Sequence, residues 1–182
     1  MQTTRNHAAM TVHERLLSLL HESGVPFRVI EHPAAGGSDE VARLRGTAPS
    51  QGAKAMVCRV SGTPSGPGHL LAVLPGDRRV DFRKVAAAAG ARKARFASPE
   101  EAQAVTGCTM GAVPPVTFSS SLLLLVDAGL LPGHDEIAFN AGRLDQSIIV
   151  ASRDYTRITN PVVTDLTATD QGLCAVVINQ GD

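Results

Sequence analysis

Two stretches of this sequence carry residue types that could do chemistry. In G-C-T-M-G-A-V-P-P, from Gly107 to Pro115, two glycines let the backbone approach a ligand closely and two prolines then lock it. The stretch predicts a rigid loop, neither helix nor strand. The N–H groups of Gly111, Ala112 and Val113 can donate, whereas Pro114 and Pro115 have none, so the loop mixes donors with carbonyls that lack internal partners. Such donors suit an oxyanion, and such carbonyls suit an ammonium group. The second feature is Lys54, at the head of the apolar run A-K-A-M-V-C-R-V. A charge at the start of a buried strand calls for a reason, and a fixed positive charge serves a phosphate or a developing negative oxygen. Together the two features fit an ester with an amine on one side and a phosphodiester on the other.

Other chemistries lack their residues. There is no G-x-S-x-G for a nucleophilic serine. Cys108, inside the loop, would need a base to become a nucleophile, and a packed neutral thiol is the plainer reading. The six histidines form no H-E-x-x-H or similar ligand spacing, so no metal and no cofactor is expected. The glycines of S-G-T-P-S-G-P-G, 61–68, are followed by no Lys-Ser/Thr pair and form no phosphate loop. Three cysteines, an odd number without a C-x-x-C spacing, argue against a disulfide framework and for a reducing, cytoplasmic setting. A net charge of zero over 182 residues argues against generalised salt-driven nucleic-acid binding while leaving room for a local basic patch. No apolar run reaches the roughly 18 residues of a membrane span, and the N-terminus has no apolar signal region.

These residues need elements to position them. Hydrophobic residues at 43% can build a core, and aromatics at 3% leave Leu, Val, Ile and Ala to fill it. Thr11 and Glu14 have capping-box spacing ahead of a helix over 11–22 that Gly24 can end. Phe27 to His32 predicts a strand, with His32 as its polar end. Ser38 is expected to cap a short helix stopped by Gly46. Lys54 to Val60 and His69 to Leu74 predict a hairpin. Asp81 is expected to cap a helix to Gly90, with a basic cluster around it that includes Arg78, Arg79, Lys93 and Arg95. Ser98-Pro99-Glu100-Glu101 opens a helix leading straight into the Gly107–Pro115 loop. Leu122–Val126, Glu136–Asn140 and Ser147–Val150 predict strands, Ser152 or Asp154 a last helical turn, and Leu173–Ile178 an edge strand. Helices interleaved with hairpins and followed by a meander predict an α+β fold, a mixed, partly barrel-like β-sheet with flanking helices. The expected division is a disordered lead-in over 1–10, one domain over 11–160 and a C-terminal extension over 161–182.

The motifs in their order resemble the YbaK/prolyl-tRNA editing domain family, the free-standing relatives of the editing insertion in bacterial prolyl-tRNA synthetase. The resemblance runs over roughly 12–157. It rests on E-H-P at 31–33, S-Q-G-A-K-A at 50–55, L-A-V-L-P-G-D at 71–77, A-S-P-E-E at 97–101, T-G-C-x-x-G-A-V-P-P at 106–115 and F-N-A-G at 139–142. It implies hydrolysis of a mischarged aminoacyl-tRNA, typically a tRNA for proline carrying a wrong amino acid. Lys54 falls on the family's key lysine, engaging the terminal nucleotide's backbone, and Gly111 to Pro115 fall on its glycine-proline loop, which positions the aminoacyl group. Attack comes from water or from the substrate's own side chain. Asn140 is expected as a pocket wall, and His32 either lines the pocket or ends its strand. The implied partners are the tRNA acceptor end and prolyl-tRNA synthetase, with no membrane, and a monomer is expected. Alanine, serine, threonine and cysteine all stay open as the amino acid removed. A binding module on the same fold that has lost the chemistry is the rival reading.

Overall fold

The computed structural model describes residues 10–66 and 68–169. The lead-in up to residue 9 and Leu173–Ile178, with Cys174, lie outside the described residues. The chain order is α1 (Val12–Glu22), β1 (Phe27–Glu31), α2 (Ser38–Arg45), a 3₁₀ turn (Pro49–Gln51), β2 (Ala53–Ser61), β3 (Gly68–Pro75), α3 (Phe82–Ala88) and β4 (Lys93–Phe96). It continues with α4 (Pro99–Thr106), β5 (Leu123–Asp127), β6 (Glu136–Asn140), β7 (Gln146–Ala151), α5 (Ser152–Thr159) and β8 (Val162–Thr164).

The strands form two sheets, β1-β7-β6 and β4-β2-β3-β5-β8. The first is antiparallel throughout; in the second, β4, β2 and β3 are antiparallel and β5 and β8 add in parallel. The fold is α+β as expected. The barrel does not close among the described residues: the sheets meet at a single parallel bridge, Gly52 to Ala138. That junction is where the cleft described below opens.

Strand β3 shows why the centre holds. Leu70, Ala72 and Leu74 point into one hydrophobic cluster with Val85 of α3 and Leu125, while Leu71 and Val73 point into the other with Leu16 and Leu20 of α1. A strand buried on both faces needs an unbroken apolar run, and H-L-L-A-V-L supplies it. Because β5 lies parallel to β3, the chain between them must cross over. That crossover carries α3, β4, α4 and the Gly107–Pro115 loop, which is how the loop reaches the end of the sheet.

The two capping boxes form as read: Thr11 with Glu14, and Ser98 with Glu101. Gly107 then ends α4 at φ 73°, a left-handed conformation that favours glycine. Glu101 is also a tie point, accepting from Arg59 on β2 and Arg95 on β4. Its carboxyl is held down to about 2 by the Ser98 backbone N–H and then by those two guanidiniums.

Three local expectations change. Ser38 is the first residue of α2, behind Gly37 as cap, and its side chain does not cap the helix. Lys93 and Arg95 belong to an edge strand, β4, paired with β2, where the sequence suggested only a charged surround to α3. The last helical turn is an eight-residue helix, α5, with Ser152 inside it giving its hydroxyl proton to the His134 carbonyl.

Candidate active site

The cleft begins with Lys54, second residue of β2 and paired opposite Leu74 on β3. The hairpin's far end continues into a turn closed by Arg78 N–H to the Pro75 carbonyl at 3.0 Å. This turn aims two carbonyls back at the lysine: Lys54 Nζ donates to Gly76 O at 3.0 Å and to Arg78 O at 2.6 Å. Gly76 has no room for a side chain, since a Cβ there would lie 2.5 Å from the Pro49 carbonyl oxygen. Burial pushes the Lys54 ammonium below its ordinary pKa, opposed by the more distant charges of Asp77 and Asp39. An ammonium has three N–H donors. Two are spent on carbonyls, and the third is left for a ligand.

Gly111 stands across the cleft at φ 87°. The peptide between it and Ala112 is pinned from both sides: Asn140 Nδ2 donates to Gly111 O at 2.7 Å, and Ala112 N–H donates to Thr109 O at 3.0 Å. The Ala112 N–H is therefore used within the turn. Among the described residues no group accepts from the N–H of Gly111 or of Val113, and both residues line the cleft.

The Asn140 amide is itself oriented. Arg45 Nη2 donates to its Oδ1 at 2.6 Å, which turns the Nδ2 end toward the loop. Arg45 also gives Nε–H to Ser147 Oγ at 2.7 Å, so the end of α2 is tied to β6 and β7 together. Burial lowers the guanidinium's pKa to about 10. Behind it, His32 Nδ1 donates to the Pro33 carbonyl at 2.9 Å, and its Nε2 is hydrogen-bonded to Ser147 Oγ at 2.7 Å. Ser147 lies 3.2 Å from Asn140 Oδ1 as well.

The result is a pocket of about 190 Å³. Lys54, Arg45 and Asn140 supply its polar groups, with Ser38 at the edge. Ala53, Ala55, Val41, Met56, Val113 and Phe139 supply apolar wall, and Met110, 61% exposed, overhangs it. No carboxylate lines it. Two cations with no carboxylate within ion-pair distance among the described residues make this a cleft for a ligand with an anionic part and a small apolar part.

Of the residues singled out in the sequence, Lys54, Gly111, Val113 and Asn140 meet at this cleft. Ala112 is turned into the core at 1% exposure. Pro114 faces a separate groove beside α1, and the Pro115 carbonyl accepts from the buried Tyr155 hydroxyl at 2.7 Å. The prolines brace the loop from behind. His32 supports the wall through Ser147 without lining the pocket. Cys108 is 3% exposed, and burial pushes its thiol up to about 11. Among the described residues no group of three or more His, Cys, Asp or Glu side chains is placed to hold a metal ion.

Arg45 was missed in the sequence. It lies one helical turn after buried Val41, hence on the inward face of α2, and a charge on such a face needs polar partners. That spacing is legible without a structure. Ser147 and Gly76 gave no comparable signal.

Among the described residues a two-sheet α+β fold sets a cationic cleft against a rigid glycine-proline loop. The sequence matches the aminoacyl-tRNA editing domain over residues 32–158, and the chain belongs to that family; it is an aminoacyl-tRNA hydrolase by class. It is 46% identical over 149 residues to the multifunctional Ser/Thr-tRNA deacylase ProXp-y of Escherichia coli K12, a match covering 82% of this chain and 89% of that protein. A solved structure described as a candidate trans-editing enzyme for prolyl tRNA synthetase superposes with a TM-score of 0.73 at 26% identity, covering 88% of this chain and 99% of the other. A hypothetical protein solved by crystallography gives a TM-score of 0.75 at 25% identity over 85% of this chain and 99% of its own.

Proposed function

We propose that this protein is a free-standing editing enzyme that hydrolyses the ester joining a small, mischarged amino acid to the 3′ end of a tRNA, with seryl and threonyl esters foremost. The observation that carries the reading is the pairing of Lys54 with the Gly111 loop across one small cleft. The 46% identity to a Ser/Thr-tRNA deacylase supports the choice of amino acids.

In this reading the Lys54 ammonium holds a phosphate oxygen of the terminal nucleotide through its third N–H. The aminoacyl group lies against Gly111 and Val113, whose backbone N–H groups face the carbonyl oxygen as it gains charge. Water adds to the ester carbon, the bond to the ribose oxygen breaks, and that oxygen takes up a proton as the amino acid leaves. The apolar wall excludes large side chains by size. One methylene is worth only about 1–3 kcal/mol there, so a pocket of this kind separates serine from threonine weakly.

The finer reading is that tRNA for proline is among the substrates, as the fold shared with a candidate prolyl trans-editing enzyme supports. The acceptor end is then the partner, prolyl-tRNA synthetase is the enzyme whose errors are corrected, and the protein acts as a monomer in the cytoplasm. No described helix is long and apolar enough to cross a membrane. The test is deacylation of tRNA(Pro) and tRNA(Thr) charged in turn with serine, threonine, alanine and cysteine. Seryl and threonyl esters cleaved well above the buffer rate support the proposal. Measurable tRNA binding with no ester cleaved faster than in buffer would leave only a binding module.

A further inference from the structure

Arg45 lines the cleft as one of its two cations, and it also orients the Asn140 amide that holds the loop. Its guanidinium spans three strand positions: Nε to Ser147 Oγ at 2.7 Å, Nη2 to Asn140 Oδ1 at 2.6 Å, and Nη1 toward the Ala138 carbonyl at 3.5 Å. An amide side chain can turn over and exchange its oxygen for its nitrogen. Here the cation occupies the oxygen end, so Asn140 must present nitrogen to Gly111 O, at 2.7 Å. The carbonyl so held belongs to the same peptide whose nitrogen, on Ala112, donates to Thr109 O.

We infer that Arg45 is a positioning residue that fixes the Gly111 loop through Asn140, so that the unpaired N–H groups on either side of the pinned peptide stand ready for the substrate carbonyl. The inference rests on the editing function proposed above, and goes beyond it by placing control of the loop on α2. A lysine cannot replace the arginine, because a single ammonium does not supply the planar fork that meets Ser147 and Asn140 together.

The test uses the full-length protein, seryl-tRNA as substrate, and the variants Arg45→Gln, Arg45→Lys, Asn140→Ala and the double variant Arg45→Gln/Asn140→Ala. Loss of a hydrogen bond to a charged group predicts a fall in kcat of about tenfold to a hundredfold for Arg45→Gln, with KM within about threefold of the parent. Arg45→Lys does not restore kcat. The double variant is no slower than Asn140→Ala alone, since Asn140 is the one link between Arg45 and the loop in this inference. A raised KM with unchanged kcat would mean that Arg45 touches substrate directly. Multiplying losses in the double variant, or rescue by lysine, would equally overturn the inference.

A substrate-free measurement separates this claim from the functional reading. The Ala112 amide, bonded to Thr109, exchanges with solvent faster in both Arg45→Gln and Asn140→Ala if the pin is real. Unchanged exchange in Arg45→Gln refutes the pin whatever the activity. If the parent protein cleaves no seryl-tRNA, the editing proposal falls and the exchange rates still decide whether Arg45 holds the loop.

Discussion

Lys54→Met removes the charge and keeps an unbranched side chain of similar length. In the structure two of the three ammonium protons are committed, to Gly76 O at 3.0 Å and Arg78 O at 2.6 Å, so the variant loses the one donor proposed to hold the ligand. A hydrogen bond to a charged group contributes about 1.5–3 kcal/mol, and each 1.4 kcal/mol is about tenfold. Deacylation kcat/KM is therefore expected to fall by about 10- to 150-fold. Two effects on folding oppose each other: removing a half-buried ammonium relieves its desolvation, while two carbonyls lose their donor. Their near cancellation predicts a thermal midpoint within about 5 °C of the parent. The assay is seryl-tRNA deacylation beside a thermal melt. A variant that melts normally and keeps kcat/KM within about threefold would refute the role given to the ammonium.

Three further outcomes follow from the same geometry. The ammonium is needed charged, so activity is present below its pKa and lost as pH rises through it. Burial sets that pKa below the ordinary 10.5, so kcat/KM, corrected for spontaneous ester hydrolysis, falls off below pH 10.5, and the limb disappears in Lys54→Met; a limb at or above 10.5 contradicts the burial argument. Gly76→Ala puts a methyl 2.5 Å from the Pro49 carbonyl oxygen, which predicts destabilisation of about 1–3 kcal/mol in a denaturant titration and lost activity from a displaced Lys54 acceptor; an unchanged midpoint would show that the turn can shift freely. Cys108→Ala leaves kcat close to the parent's, because the thiol is buried and its pKa is pushed up to about 11. Abolished turnover in a stably folded Cys108→Ala would instead point to thiol chemistry.

The parts of the fold legible in the sequence are those set by local physics. Thr11 with Glu14 and Ser98 with Glu101 are short-range capping patterns, and both form. The Lys54 hairpin follows from two apolar runs around a Gly/Pro insert. Strand β4 escaped because K-A-R-F is short and charged, as suits an edge strand, and its place is set by backbone pairing with β2, about 35 residues back in the chain, beside which Glu101 accepts from Arg59 and Arg95. Within the loop, sequence marks Gly111 to Pro115 as one unit and cannot say which way each residue faces. Only the packed structure turns Gly111 and Val113 to the cleft and Ala112 and the prolines away from it. Arg45 was readable from its spacing to Val41, but its partners Asn140 and Ser147 lie 95 and 102 residues further along the chain, beyond any local rule.

The claim on which everything else rests is that the aminoacyl end of the substrate lies between Lys54 and the Gly111 loop. The direct measurement is a backbone and lysine side-chain NMR titration with a non-hydrolysable analogue, a 3′-serylamino adenosine 5′-phosphate. Binding is predicted to shift the amides of Gly111 and Val113 and the Lys54 ammonium together, with Ala112 and Cys108 moving less. Saturable binding that leaves Gly111 and Lys54 unmoved, with shifts gathered elsewhere on the surface, would contradict the account.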